Sequence, residues 1–140
     1  MRRMALGVFL LSCLVGALCG CGAKQEIQTA ESAVGLFHEQ LNAGNYAQIY
    51  DASDEAMKNA ASQEKFVALL DAIHRKLGWV QSSNRQTFFL NYATSGKTVR
   101  LTYATQFDND KAAEEFVFRV KGKEAHLLGY HINSDALVTK

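Results

Sequence analysis

Residues 97–107 read KTVRLTYATQF and alternate apolar with polar side chains. In an extended chain Val99, Leu101, Tyr103 and Thr105 fall on one face, and the polar residues between them fall on the other. A period of two is typical of a β-strand with one buried and one solvated face. The pattern predicts a strand whose apolar face must be covered by another layer of the fold.

Three further strands are predicted around this one, at residues 79–94, 114–121 and 124–134. Polar and glycine-containing turns separate the four segments: Ser95-Gly96, Asp108-Asn-Asp110 and Lys121-Gly-Lys123. Short links of this kind join neighbouring antiparallel strands. In the first strand the polar group Ser82-Ser-Asn84 is interpreted as a bend or bulge. Together the segments predict a four-stranded meander.

Two amphipathic helices precede the strands. The first is predicted from Thr29, as its N-cap, to Ala43, and the second follows Ser62 and ends at Gly78. Their apolar stripes are Ala30, Ala33, Val34, Phe37 and Leu41 in the first, and Phe66, Leu69, Leu70, Ile73 and Leu77 in the second. Residues 46–50 suggest one or two helical turns, and residues 51–61 a loop or a loose helix. Helices followed by strands predict an α+β class, with N-terminal helices packed on a curved four-stranded antiparallel sheet.

The N-terminus has the layout of an export signal. Arg2 and Arg3 precede the apolar run Ala5–Leu18, which is shorter than the ~20 residues that a membrane-spanning helix needs. A short retained membrane anchor is the alternative interpretation. The following Leu18-Cys-Gly-Cys21 resembles the lipobox of bacterial lipoproteins, which has an aliphatic residue three positions before the cysteine and a small residue directly before it.

This resemblance implies cleavage between Gly20 and Cys21 and attachment of a diacylglycerol, with acyl chains such as palmitate, to the Cys21 thiol. The predicted organisation is a signal peptide at 1–20, a lipidated N-terminus and short tether at 21–28, and one α+β domain at 29–140. The membrane is then a partner through covalent lipid, in the cell envelope. Gly22 in place of Asp resembles the outer-membrane class, facing the periplasm, if the source is Gram-negative.

The composition of the exported part limits its functions. All three cysteines lie at or before position 21, so the domain is expected to contain no disulfide. Without Arg2 and Arg3 the chain holds 13 basic and 14 acidic residues. Such a balance, with no basic stripe, argues against a nucleic-acid partner.

The order of elements resembles the nuclear-transport-factor-like, cystatin-like cone family from about Thr29 to Leu137. Two segments add to this resemblance: Asn42-Ala-Gly-Asn-Tyr46 after the first helix, and Leu127-Leu-Gly-Tyr-His-Ile132 at the end. The resemblance implies helices wrapped against a curved sheet; a cystatin-type sheet with a single helix is the nearest rival. Enzymes of the superfamily place an Asp or His base inside the cone.

Few residues suggest catalysis. The aspartates available as a base are Asp51, Asp54 and Asp71, of which the first two are expected in turn or capping roles. His38 and His74 lie off the apolar stripes and are interpreted as solvated. His126 and His131 differ by five positions, which predicts opposite faces of one strand, so one of them can enter the cone. No metal site, cofactor or catalytic motif is expected.

Aromatic residues are numerous, and adjacent Phe88 and Phe89 place a ring on each face of their strand. The last strand is apolar on both faces as well. Apolar surface of this kind suggests a wide cone or a partner. We therefore expect a non-enzymatic binding or accessory module that holds an envelope protein or a small apolar ligand. The alternatives are a small hydrolase or isomerase with an Asp or His base in the cone, and a homodimer formed through the sheet.

Overall fold

A computed structural model describes residues 21–139 of the chain. Its helices are α1 Cys21–Ala43, α2 Tyr46–Asp51, α3 Glu55–Ala60, α4 Gln63–Leu77 and α5 Asp135–Val138. Its strands are β1 Val80–Ala93, β2 Gly96–Phe107, β3 Lys111–Lys121 and β4 Glu124–Asn133. The predicted α+β class and the order of helices before strands are confirmed. The signal peptide and its cleavage site lie outside the described residues.

The strands form one open antiparallel sheet in the order β1-β2-β3-β4. In β2 the alternation expected from the sequence is confirmed, because Val99, Leu101, Tyr103 and Thr105 are buried. Val99 lies opposite Phe118 of β3 and Leu90 of β1. Directly opposed residues point to the same face, so these side chains form one apolar surface beneath the helices.

Helix α1 is the cover of this surface, since it contacts all four strands. Its buried residues Val34, Phe37 and Leu41 recur at the helical period and join one core with the sheet. Helix α4 packs mainly against α2 and α5 rather than across the sheet. Leu69, assigned to its apolar stripe from the sequence, is 44% exposed, so that assignment was wrong.

The start of α1 also differs from the prediction. The helix begins at Cys21, and Thr29 does not cap it but donates from Oγ1 to the carbonyl oxygen of Gln25 within it. Residues 22–28, expected to form a short tether, are therefore helical, and Glu26 and Ile27 pack against the domain. The sequence signal failed because polar residues 22–28 carry little apolar periodicity. The division of the chain into domains remains a prediction.

The ends of α4 confirm the predicted caps. Ser62 Oγ accepts a hydrogen bond from the Lys65 amide at 3.4 Å, and Gly78 ends the helix with φ of +80°. A Cβ at Gly78 would lie 2.7 Å from the Cβ of Asp108. Glycine is therefore required both by the backbone conformation and by the close approach of the β2–β3 turn.

Candidate functional site

An apolar pocket of about 280 Å³ lies between α1, α2 and the strands β3 and β4. We call it the α1–α2 pocket. Its walls are mostly aliphatic and aromatic: Ala33, Leu36, Phe37, Ile49, Ala52, Phe118, Ala125 and Leu127, with Gln40 and Gln48 as the polar members. Leu36 is 54% exposed and the pocket is open to solvent, so a ligand can reach it. This is the arrangement of a small apolar binding site.

Gln40 gives the α1–α2 pocket a specific polar group. Its Oε1 atom is buried and accepts no hydrogen bond from any described residue. An unpaired buried acceptor costs free energy, and a ligand that donates a hydrogen bond removes that cost. Sequence reasoning missed this residue, although its position four residues after Leu36 places both on one side of α1.

A buried polar cluster lies deeper, around Glu114 of β3, which is 1% exposed. Its carboxylate accepts hydrogen bonds from Thr105 Oγ1 at 2.5 Å and Tyr130 Oη at 2.6 Å, and lies 2.8 Å from His38 Nε2. Burial, together with the Glu114 carboxylate, raises the pKa of Tyr130 well above its usual value of 10.0. We call these four residues the Glu114 cluster.

The prediction that His38 is solvated was wrong, since it is 6% exposed and packs against Phe37 and Phe116. Glu114 was not singled out from the sequence at all. A signal was present, because Glu114 is in phase with Phe116 and Phe118 on the buried face of its strand. A charged residue in phase with an apolar face needs internal partners, and His38 is one of them.

His74 is half-buried rather than solvated, since its Nδ1 lies 2.7 Å from the hydroxyl of Tyr46. His126 and His131 were predicted on opposite faces of β4, and this was wrong. They lie opposite Arg119 and Glu115, which share a face of β3. A register shift at Val117/Phe118 adds one residue to β4 and cancels the odd spacing.

The three aspartates considered as a base lie outside the core. Asp51 is exposed. Asp54 is the N-cap of α3, where it accepts from the Ala56 amide at 2.9 Å, and it pairs with Arg119. Asp71 pairs with Arg75 at 2.8 Å. Among residues 21–139, no group of three His, Cys, Asp or Glu residues is placed to hold a metal ion.

Edge strand β1 is rich in exposed rings: Trp79, just before it, Phe88, Phe89 and Tyr92 are each more than half exposed. The prediction that Phe88 and Phe89 lie on opposite faces is confirmed, because Phe88 lies opposite buried Leu101 and Phe89 opposite exposed Arg100. Both rings remain accessible to solvent, and β1 pairs with β2 alone among the described strands.

Glu26 connects the beginning of α1 to the sheet. It is 6% exposed and accepts hydrogen bonds from Tyr92 Oη at 2.8 Å and Lys97 Nζ at 2.5 Å. The hydrogen bond from Lys97 holds the pKa of Glu26 below its usual value of 4.5. The same contact raises the pKa of Lys97.

Replacing Glu26 by Gln is expected to change the acid sensitivity of folding. Because the folded state lowers the pKa of Glu26, its contribution to stability is complete above about pH 4.5 and is lost as the pH falls through the lowered value. Because Lys97 is solvent-exposed, water and salt screen its charge, and we expect the free energy of unfolding to fall only slightly in the variant. Urea denaturation of both proteins at about pH 7 and about pH 3 measures the effect. A stability difference that does not shrink from the higher to the lower pH, or equals that of Glu39→Gln on the exposed side of α1, would contradict the prediction.

No helix within residues 21–139 is long and apolar enough to cross a bilayer. The predicted lipidation site lies at the border of the described region: the Cys21 backbone starts α1, but its side chain is outside what the structure describes.

A family model described as a protein of unknown function (DUF4019) matches residues 34–130. The match includes Gln40, His38 and Glu114, together with all of α2, α3, α4 and β1 to β3. No curated protein matches the chain.

Proposed function

The chain belongs to DUF4019, a family of proteins of unknown function, and we propose that it is a membrane-anchored cell-envelope lipoprotein whose domain is a non-enzymatic binding or accessory module. The anchor is a diacylglycerol on the Cys21 thiol, and cleavage after Gly20 frees the Cys21 amine for a further acyl chain. The lipobox-like sequence Leu18-Cys-Gly-Cys21 supports this anchor. In a Gram-negative source the domain faces the periplasm from the outer membrane. The superfamily proposed for the domain is the nuclear-transport-factor-like, cystatin-like cone.

The observation that carries the binding function is the α1–α2 pocket with the unpaired Gln40 Oε1 atom. A volume of about 280 Å³ fits a small ligand, near the lower limit of ~300 Å³ common for small-molecule sites. The apolar walls favour a ligand that is mostly apolar, and Gln40 Oε1 favours a ligand that carries one hydrogen-bond donor. The proposed ligand is a small, mostly apolar molecule with a single hydroxyl or N–H group.

Binding of N-phenyl-1-naphthylamine, a fluorescent apolar probe with one N–H group, tests this function. Leu36→Asp is expected to weaken binding at least about tenfold, because it brings a charge to the apolar mouth of the pocket. Gln40→Leu is expected to weaken binding about fivefold, the value of one hydrogen bond. 1-Phenoxynaphthalene, which lacks the N–H, should compete equally well against the wild type and Gln40→Leu.

The matched control is Leu69→Asp, at an exposed leucine of α4 that does not line the pocket. It is expected to bind the probe like the wild type. Equal weakening by Leu36→Asp and Leu69→Asp, or no binding by the wild type, would contradict the pocket as the binding site. If an envelope protein occupies the pocket instead, Leu36→Asp should reduce crosslinking to that protein and leave probe binding unchanged.

A small hydrolase or isomerase is the second candidate, and the His38–Glu114 pair is the observation in its favour. A buried histidine oriented by a carboxylate is a common general base. However, both carboxylate oxygens of Glu114 already accept hydrogen bonds within the domain. Neither His38 nor Glu114 lines the α1–α2 pocket. We therefore favour binding over catalysis.

A further inference from the structure

Two hairpin turns and the first turns of α1 meet at one end of the domain. Alternate turns of a meander lie at the same end of its sheet, so the β1–β2 and β3–β4 turns are neighbours. They enclose a groove of about 600 Å³ whose lining includes Gly22, Gln25, Gly96, Lys97, Lys121 and Lys123. We call it the hairpin groove.

The hairpin groove is positively charged. Glu26 is the one carboxylate in its lining, against Lys97, Lys121 and Lys123. Lys97 already pairs with Glu26. Lys121 and Lys123 lie at the border between this groove and a neighbouring pocket whose lining includes Glu55 and Glu124, but within the hairpin groove itself no second carboxylate faces them. Both are exposed, and none of the described residues forms an ion pair with either. Two free ammonium groups in a concave site form a binding surface for phosphate oxygens.

The opposite end of the sheet differs in charge. The β2–β3 turn there carries Asp108 and Asp110. Trp79, which is 58% exposed, lies beside this turn, since its carbonyl accepts from the Asp108 amide at 3.0 Å. The domain therefore presents lysines at the end where α1 begins and aspartates at the β2–β3 turn.

We propose that the hairpin groove docks on the anionic phospholipid headgroups of the membrane that holds the chain. The proposal rests on the proposed lipid anchor at Cys21, which directly precedes Gly22 in the groove lining. Anchoring at that position brings Lys121 and Lys123 to the bilayer surface, where basic side chains attract anionic lipids. Docking fixes the orientation of the domain and leaves the β2–β3 turn and Trp79 facing away from the membrane.

Lysine labelling of the full lipidated protein in vesicles tests the docking. The vesicles contain phosphatidylcholine, with or without phosphatidylglycerol, and a water-soluble acylating reagent is quantified at each lysine by peptide mass spectrometry. Phosphatidylglycerol is expected to slow labelling of Lys121 and Lys123 at least about fivefold. This factor corresponds to the attraction of one lysine to an anionic membrane surface. Salt at about 1 M, with a Debye length of ~3 Å, should abolish the protection. Exposed Lys65 and Lys111, outside the groove lining, are the internal controls.

Equal labelling rates with and without phosphatidylglycerol would overturn the proposal, and so would equal protection of all four lysines. Protection by inorganic phosphate alone, without anionic lipid, would also overturn it in favour of a site for the free anion.

Failure of the anchor is detected separately, by an intact mass without acyl chains. In that case flotation of the full chain with the two vesicle types tests the groove alone. The part of binding that depends on phosphatidylglycerol should fall about tenfold or more in Lys121→Gln/Lys123→Gln and persist in Lys65→Gln/Lys111→Gln. A loss that is the same in both double variants would overturn docking through the groove.

Discussion

Glu114→Ala is expected to lower the free energy of unfolding by about 3–5 kcal/mol. The carboxylate is 1% exposed and is the common partner of His38, Thr105 and Tyr130. Truncation leaves these polar groups buried without their partner, each at a cost of about 1–3 kcal/mol if it cannot find another. Aromatic rings surround the site, since Phe116 packs against both His38 and Tyr130. Little water is therefore available to replace the lost bonds.

Chemical denaturation monitored by circular dichroism measures this loss. Glu115→Ala is the matched control, because Glu115 is the next residue on β3 and its contact with Arg100 on the outer face is long, at 3.8 Å. We expect Glu115→Ala to lower the free energy of unfolding by less than about 1 kcal/mol. Glu114→Gln keeps one acceptor and should fall between the two. Equal effects of Glu114→Ala and Glu115→Ala would show that the Glu114 cluster does not stabilise the core.

The regular elements were predictable because each carries a strong period. The alternation in β2 and the capped stripe of α4 match the structure closely. In the apolar stripe of α4 the prediction was wrong at Leu69. This residue was assigned to the core, yet it lies at the margin of the apolar face and is exposed. Periodicity therefore predicted the two long helices and the four strands in their order, but neither the short helix α5 nor the limits of the buried faces.

The candidate sites depend on contacts that local patterns do not contain. The Glu114 cluster joins α1, β2, β3 and β4 through residues up to 92 positions apart in the chain, from His38 to Tyr130. The register shift at Val117/Phe118 places His126 and His131 on the same face of β4, although their spacing predicts opposite faces. Neither feature follows from spacing: the pairing of His38 with Glu114 requires α1 to pack on the sheet, and the shift is a property of the β3–β4 pairing.

Cys21→Ala is expected to prevent lipidation of the exported chain. The wild type should lose residues 1–20, gain the mass of two or three acyl chains and enter the detergent phase. Each buried methylene contributes ~0.8 kcal/mol, so two chains hold a protein stably where one does not. The variant should carry no acyl mass. Intact-mass spectrometry with detergent-phase partition measures both results.

Cys19→Ala and Cys13→Ala are the matched controls, since both keep Gly20-Cys21, and we expect them to be processed like the wild type. Acyl mass that survives Cys21→Ala, or an unmodified and water-soluble wild type, would contradict the anchor.

Because α1 begins at Cys21, five helical residues at ~1.5 Å each place the anchor within roughly 8 Å of Glu26 along the helix axis. An acylated Cys21 would therefore bring the lysines of the hairpin groove to the headgroups with no flexible tether between them.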